Sequence, residues 1–485
     1  MSSFPRRDAV VVGSGPNGLA AAVTLARAGL DVEVIEAADT IGGGTRTLEL
    51  TAPGYRHDVC SAVHPLALAS EFFRQFGLAE RIDLRVPEVS FAQPITPGRS
   101  AIAYRDLART VEALGSDGRA YERVIGPLAR RAEQVAEFIG SPLVPLPRHL
   151  PTAVLFGLRA LAQGSPLWNL GFSGEDAPAL ITGVAAHAIM PLPSLATAGA
   201  GLSLLAHAHA GGWPVPYGGS QTIADALADD LRAHGGTIMT GVEVTALGEL
   251  PPATATLFDV TPRALVRIAG AQLPGRYRRA LTRFRFGNAV AKVDFALSGP
   301  VPWLDPALAA APTLHLGGTR PEVRAAENTV ARGQHAKHPY VLVSQPGVLD
   351  DSRAPAGHEV LWTYAHVPAG STIDQTEVVI AEIERYAPGF RDVIVHTSSA
   401  TALDEQRRNP NYPGGDIAAG MPSMRQLVAR PVLARDPWRT PTPGLYLTGA
   451  STVPGPGVHG LSGWYAAQSA LRHEFGITAP VDLAP

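Results

Sequence analysis

Polar and apolar residues alternate along the chain in blocks that read as βαβ units. Residues 8–12 (DAVVV) are an apolar, β-branched run, the pattern of a strand buried on both faces of a parallel sheet. Glycines follow, then LAAAVTLARAGL, a small-residue helical pattern closed by Gly29 at the C′ position. DVEVIEA supplies a second buried strand ending at Glu36. Further on, PYGGSQTIADALADDLRAHGG predicts a helix from about Ser220 to His234, with Ser220 as its cap and Gly235-Gly236 as its stop. TIMTGVEVTAL alternates as strands do, and ATATLFDVT gives another strand after only LGELPP. Any β-meander between them is therefore missing or very short. The stretch from Phe286 to Leu297 reads as a strand, and so does GLYLTGA near residue 445. Proline-rich SPLVPLPRHLP, 141–151, reads as loop, and no internal repeat is evident.

Composition narrows the class. The 485 residues are 46% hydrophobic, enough for a large core and more than one domain. A formal net charge of -3 creates no global field for nucleic acid. The lone cysteine, Cys60, excludes an internal disulfide, a CxxC pair and a thiolate zinc site, and no metal is expected. MSSFPRRDAV lacks the apolar core of a signal peptide, which reads as cytoplasmic. From Ala177 to Ala224 there is no Asp, Glu, Lys or Arg. Prolines and histidines interrupt this stretch, and its cleanly apolar piece, Leu195 to Leu205, falls short of the roughly 20 residues that a spanning helix needs. It reads as buried core and the wall of an apolar cavity, with peripheral membrane contact as the alternative.

The first glycine cluster carries chemistry. Gly13-Ser14-Gly15-Pro16-Asn17-Gly18 lies between a strand and a helix, the context of a dinucleotide fingerprint. Gly13 permits the tight turn, Gly15 lets backbone approach a pyrophosphate, and Gly18 lets helix and strand pack closely. The helix N-terminus offers N–H groups and partial positive charge to the phosphates. Glu36, 18 residues past Gly18, is placed to accept hydrogen bonds from an adenosine ribose. No arginine follows it, which argues against a ribose 2′-phosphate and so against NADP.

A second glycine run, Gly42-Gly43-Gly44-Thr45-Arg46, is similar to the second motif of flavoproteins with the glutathione-reductase-type FAD fold. More widely, VVVGSGPNGLAAA, GGGTRT, PGYRHDVCSAVHP, PYGGSQTIADALA, RFGNAVAKVDFALSGPVPW and GLYLTGASTVPGPGVHG resemble the phytoene desaturase-like branch of the flavin amine oxidase superfamily. Within that branch the chain resembles oxidoreductases related to pyridine nucleotide-disulfide oxidoreductase domain-containing protein 2, although the cysteine pair of disulfide chemistry is absent here. The resemblance spans nearly the whole chain. It implies an α/β and α+β architecture: an FAD-binding Rossmann domain from 1–74, 216–288 and 415–485, and a mixed-sheet-plus-helix substrate domain from 75–215 and 289–414. It implies FAD held by the first motif, by Gly43, Gly44, Thr45 and Arg46, by backbone near Val244 at adenine, and by Gly449, Ala450, Gly457, Val458 and His459. It likens Lys292 to the amine oxidase lysine that holds a water at flavin N5, where a cation helps developing charge. His459, in the turn before the last helix, is the second catalytic candidate.

Other candidates stand beside structural readings. His57 and Asp58 could line the flavin pocket, and Cys60 or His64 could attach flavin. His207 and His209 would share one face of a strand. His335 and His338 belong to a surface loop, and Trp464 and Tyr465 could stack near the flavin. The leading expectation is hydride transfer from an apolar, lipid- or isoprenoid-like substrate, with oxygen or a quinone as electron acceptor. The alternatives are an oxygen-using amine oxidase-like enzyme, a non-catalytic binding protein of the GDP dissociation inhibitor type, and a redox-neutral isomerase.

Overall fold

The computed structural model describes residues 5–142 and 147–485. Among the described residues, twelve strands form the two main sheets: β1 (Arg7–Val12), β2 (Val32–Ile35), β3 (Val89–Thr96), β4 (Arg99–Tyr104), β5 (Thr237–Met239), β6 (Ala253–Phe258), β7 (Ala289–Leu297), β8 (Thr313–Leu316), β9 (Val341–Ser344), β10 (Glu359–Val367), β11 (Ile394–Ala400) and β12 (Leu445–Leu447). The helices that matter for the site are α1 (Pro16–Arg27), α2 (Gly118–Ala129), α3 (Ala132–Gly140), α4 (Leu150–Gln163), α5 (Asp176–Ala185), α6 (Leu195–Ala210), α7 (Gln221–Ala233), α8 (Thr376–Glu384) and α9 (Leu461–Glu474).

The first sheet runs β12-β6-β1-β2-β5, and every neighbouring pair is parallel. Both faces are covered. Val11 and Ala9 pack toward α1, α7 and α9, while Val10 and Val12 pack toward Leu265, Ile268 and Leu281. That double burial is why DAVVV carries no polar position. Gly463 of α9 abuts α1 so closely that an added Cβ would overlap the carbonyl oxygen of Asn17.

The second sheet runs β11-β7-β10-β9-β8-β3-β4 and is mixed, with β3 and β8 parallel and the other pairs antiparallel. One face buries Val293, Phe295, Leu314, Val343 and Leu361 against Val379 and Ile383 of α8. The other face carries Trp362, Tyr364 and Leu342. The chain is thus a mixed α/β protein with a Rossmann-type parallel sheet.

Three local expectations need correction. TIMTGVEVTAL forms strand only over Thr237–Met239, and a 3-10 turn over Leu247–Glu249 leads to β6. Alternation over so few residues does not make a strand without a partner beyond the edge of the sheet. Ser220 precedes α7 but does not cap it. Its backbone is already helical, and its hydroxyl donates to the Ser61 carbonyl at 2.7 Å and meets His64 Nε2 at 2.8 Å. His207 and His209 lie in helix α6, not on a strand. A reciprocal capping box between Ser194 and Thr197 starts that helix, and its alanines and leucines carry it through both histidines. The loop expected over 141–151 includes 143–146, which lie outside the described residues, and by Leu150 helix α4 has begun. The charge-free stretch is largely buried, in α5 and α6.

Candidate functional site

A cavity of about 900 Å³ runs between the two sheets. At one end its wall is Gly13, Gly15, Pro16 and Asn17, with Gly43, Gly44 and Thr45 beside them. The two glycine motifs, separate in sequence, touch here: a Cβ on Gly43 would lie 3.2 Å from the Gly15 Cα. Gly13 and Gly43 have φ of 101° and 54°, a region side chains resist. Gly18 stands behind the wall, where a Cβ would overlap the Gly13 carbonyl oxygen. Helix α1 begins with Gly15 at its N-cap, which brings no capping side chain of its own, and Pro16 occupies the first turn. An N-terminus built this way sets its positive dipole end beside the cavity, with the Gly18 N–H satisfied by a carboxylate from β6's end.

Two carboxylates shape this end. Glu36 accepts from the Ser14 backbone N–H at 2.8 Å and from Ala38 at 2.8 Å, so its position is set by the turn. Asp259, at the end of β6, accepts from Gly18 N–H at 2.9 Å. Added Cβ atoms on Gly15 and Gly449 would lie 2.7 and 2.9 Å from its oxygens. Burial pushes its carboxyl up to about 7, with Glu36 adding and the Gly18 N–H opposing. The sequence reading missed Asp259. Its signal was a lone acid ending an apolar strand, the position where Glu36 drew attention only because of the glycine spacing.

The middle of the cavity is bounded by Val244, Gly449, Ala450, Gly457, Val458 and His459. His459 is buried, and both ring nitrogens serve its own turn. Nδ1 accepts from Leu461 N–H at 3.0 Å, and Nε2 lies 3.2 Å from the Gly455 carbonyl. Burial lowers its pKa to about 4, so the ring is neutral at ordinary pH. Cys60 and His64 also line this region. Burial pushes the Cys60 thiol up to about 12 and lowers His64 to about 4.

Arg46 and Lys292 do not reach the cavity wall. Arg46 donates to the carbonyls of Gly43 and Arg408, at 2.9 and 3.0 Å, and so braces the second glycine turn. Lys292, in mid-β7 and 2% exposed, is ion-paired with Asp294 two residues on. Its ammonium lies 5.3 Å from the Trp362 ring, and its cross-strand partner is Tyr364. Trp362 and Tyr364 do line the cavity, so Lys292 stands one strand over from the wall. Burial pushes the Asp294 carboxyl up to about 6, against the pull of Lys292. His57 lies 3.6 Å from Asp294 and is held near 3 by burial and by Lys292. Asp58 is tied to Thr47, Ser220 and Arg353, a structural knot.

The far end is walled by apolar positions of α3, α4 and α6, among them Ile139, Phe156, Ala160, Leu195 and Ala200. Its floor holds a polar rung that no sequence motif marks. Thr313, Ser344 and Trp362 pair across β8, β9 and β10 in one row. All three are buried and line the cavity, and the Oγ1, Oγ and Nε1 atoms have no partner among the described residues. Beyond the rung, His187 and His315 share a hydrogen bond of 2.9 Å. His209 bonds Tyr121 and the Tyr104 carbonyl, both at 2.8 Å. His335 meets Ser371, and His338 lies 3.5 Å from Glu382. Trp464 and Tyr465 face a separate, smaller cavity beside α3.

These residues fit a dinucleotide. The glycine cradle admits no Cβ, the N-cap of helix α1 is a glycine without a capping side chain, and the buried Asn17 Oδ1 has no partner among the described residues. Among the described residues no group of three or more metal-ligating side chains occurs, and no helix is long and apolar enough to cross a membrane.

Comparison with known proteins agrees with this geometry. The model of the NAD(P)-binding Rossmann-like domain matches residues 11–76. Pyridine nucleotide-disulfide oxidoreductase domain-containing protein 2 of Rattus norvegicus is 26% identical, over 96% of this chain and 94% of its own. Amine oxidase [flavin-containing] B of Cavia porcellus is 34% identical over 23% of this chain and 24% of its own. The structure of putrescine oxidase bound to putrescine superposes with a TM-score of 0.61 at 18% identity, covering 98% of this chain and all of that one. The chain therefore has a dinucleotide-type Rossmann domain within an amine-oxidase-like fold.

Proposed function

We propose that this protein is an FAD-dependent oxidoreductase acting on a largely apolar substrate that carries one hydrogen-bonding end. The observation that supports it is the single cavity joining a glycine cradle to an apolar chamber floored by the Thr313–Ser344–Trp362 rung. When bound, the flavin supplies a two-electron acceptor for hydride from a C–H bond.

The residues divide the work. Gly13, Gly15, Gly43 and Gly44 would hold the diphosphate through backbone, and Glu36 would hold the adenosine ribose. Pieces 1–74, 216–288 and 415–485 would form the cofactor domain. The N-terminus of α9 borders the cavity at His459 and Leu461, and its positive dipole end would suit negative charge that develops there. Lys292 keeps a cation beside Trp362 and Tyr364, with Asp294 fixing its position. The apolar walls exclude water and orient the body of the substrate. The rung binds an oxygen or nitrogen at its end, because leaving those buried donors unpaired costs about 1–3 kcal/mol each.

The similarity to amine oxidase B and putrescine oxidase favours a second reading, an oxygen-using amine oxidase-like enzyme. Anaerobic reduction followed by air separates the two. Sluggish reoxidation, with turnover restored by a quinone, supports a dehydrogenase or desaturase. Rapid reoxidation with peroxide supports the oxidase. A colourless protein that takes up no FAD overturns both and leaves a binding protein.

A further inference from the structure

Two histidines stand one step along the sheet from the polar rung. His315 lies two residues past Thr313 on β8, so the two side chains share a face, roughly 7 Å apart along the strand. His187, in the 3-10 turn after α5, lines the cavity and meets His315, Nε2 to Nε2, at 2.9 Å. Burial lowers His187 to about 3 and His315 well below its ordinary value, so each ring is neutral and carries one proton. A bond between two neutral imidazoles needs one donor and one acceptor, so the tautomer of one ring dictates that of the other. Gln93 decides between them. Its Nε2 donates to the Gly318 carbonyl at 2.7 Å, which fixes the amide and turns Oε1 the other way. There Oε1 and His315 Nδ1 crowd one point: a Cβ on Gly183 of α5 would overlap the first and lie 3.0 Å from the second. Both atoms are buried, and neither has a partner among the described residues. A proton on His315 Nδ1 sets a donor toward the Gln93 oxygen, whereas a bare nitrogen would set two acceptors together. His315 Nε2 is then the acceptor, His187 donates from its own Nε2, and His187 Nδ1 carries a lone pair. That nitrogen is not sealed from the cavity, and it has no partner among the described residues. The backbone is strained to hold the turn, because Ile189, two residues on, is β-branched and has a φ of 51°.

We propose that His187 is a specificity-determining residue, which accepts a hydrogen bond through Nδ1 from an uncharged hydroxyl on the substrate. The inference rests on the apolar chamber being the substrate site, as put forward above. Three features select the hydroxyl. A lone pair on Nδ1 asks for a donor. The Trp362 indole offers only a donor, so the polar end of the substrate must accept as well. A hydroxyl does both, and an ether or a ketone does not donate. Charge excludes the rest. The carboxylates that line the cavity, Glu36, Glu243 and Asp259, belong with the glycine end, where the Val242 N–H bonds the Glu36 carbonyl beside Glu243. An ammonium therefore finds no counter-charge beside His187, and an ionised carboxylate would set acceptor against acceptor. Gln93 and His315 are positioning residues: they fix the tautomer of His187 from behind the wall.

The test reads binding and protonation, not turnover, and flavin uptake is followed separately by absorbance, so its failure is distinct from failure of the redox assignment. The full-length, flavin-loaded chain is titrated calorimetrically with nonanol, methyl nonyl ether and nonylamine. Wild type should bind the alcohol roughly tenfold or more tightly than the ether, which keeps the acceptor and loses the donor. His187→Phe should erase that preference and leave the ether unaffected, with melting temperature and flavin content as controls. His187→Asn, whose side-chain oxygen takes the place of Nδ1, should restore much of it. Nitrogen NMR of histidine-labelled protein should show His187 Nδ1 bare and His315 Nδ1 protonated, and Gln93→Met should blur both tautomers and weaken the alcohol preference together. A protonated His187 Nδ1 in wild type overturns the proposal, whether or not the Phe variant folds. So does a Phe variant that keeps the full preference, or a wild type that binds neither alcohol nor ether. Nylon-like indifference to charge would also count against it: nonylamine binding more tightly than nonanol overturns it in favour of an amine-reading site.

Discussion

At the Gly13–Gly18 end the cavity is walled by peptide groups, and a single added carbon has nowhere to go. At the Thr313–Trp362 end it is walled by side chains, and Gly157 in the same cavity has nothing within 4 Å of an added Cβ. A wall of backbone recognises what all dinucleotides share and tolerates little change. A wall of side chains sets which substrate enters and can be rewritten one residue at a time.

The contrast is sharpest for Gly18→Val. Its side chain would overlap the Gly13 carbonyl, so flavin affinity should fall roughly a hundredfold or more, read as flavin absorbance retained after gel filtration. A variant that keeps its flavin breaks the idea of an unyielding end. Next comes Lys292→Ala. It strands Asp294 in a buried site and should cost about 3–5 kcal/mol of stability, measured by denaturant unfolding. Lys292→Ala/Asp294→Ala should recover much of that loss.

Asp259→Asn tests a side chain placed inside the backbone end. The folded carboxyl titrates near 7, above the ordinary value of 3.8, so the folded state holds the proton more tightly than the unfolded one. Its stabilising contribution is full below about 4 and is lost as pH rises through about 7. Melting curves across that window should show wild type losing on the order of a few kcal/mol relative to Asp259→Asn. Parallel curves would mean that Asp259 is ionised throughout. The smallest effect belongs to Gly157→Ala, which should raise stability by about 0.5–1 kcal/mol with flavin content unchanged. A lower melting temperature there would show that the substrate end is as tightly packed as the glycine end.

The same contrast explains what could be read from sequence. The glycine cradle was legible because its requirements are local: positive φ, close approach and a helix start within a few residues. So were β1, β2, β6 and β12, whose double burial leaves a continuous apolar signature. The polar rung was not legible. Thr313, Ser344 and Trp362 become neighbours only through the register of three strands, and a shift of one residue would turn them to the other face. Lys292 stands out in the sequence through its resemblance to the amine oxidase lysine, and its spacing of two from Asp294 equally puts both on one face of β7. His459 is a catalytic candidate by its place in the turn before the last helix, whereas in the structure both ring nitrogens are committed to backbone. His207 and His209 lie in helix α6 and not on a strand, because alternation of two residues does not overrule sixteen residues of helix.

The contact of Gly463 with Asn17 bears on how the protein is made. Helix α1 is made beside β1 and β2, while its partner α9 and the edge strand β12 come much later in the chain. The flank of α1 that α9 covers therefore waits uncovered until α9 has been made. A ligand of the cradle would then stabilise a site that forms only once α9 has packed, so its binding would be coupled to that late packing.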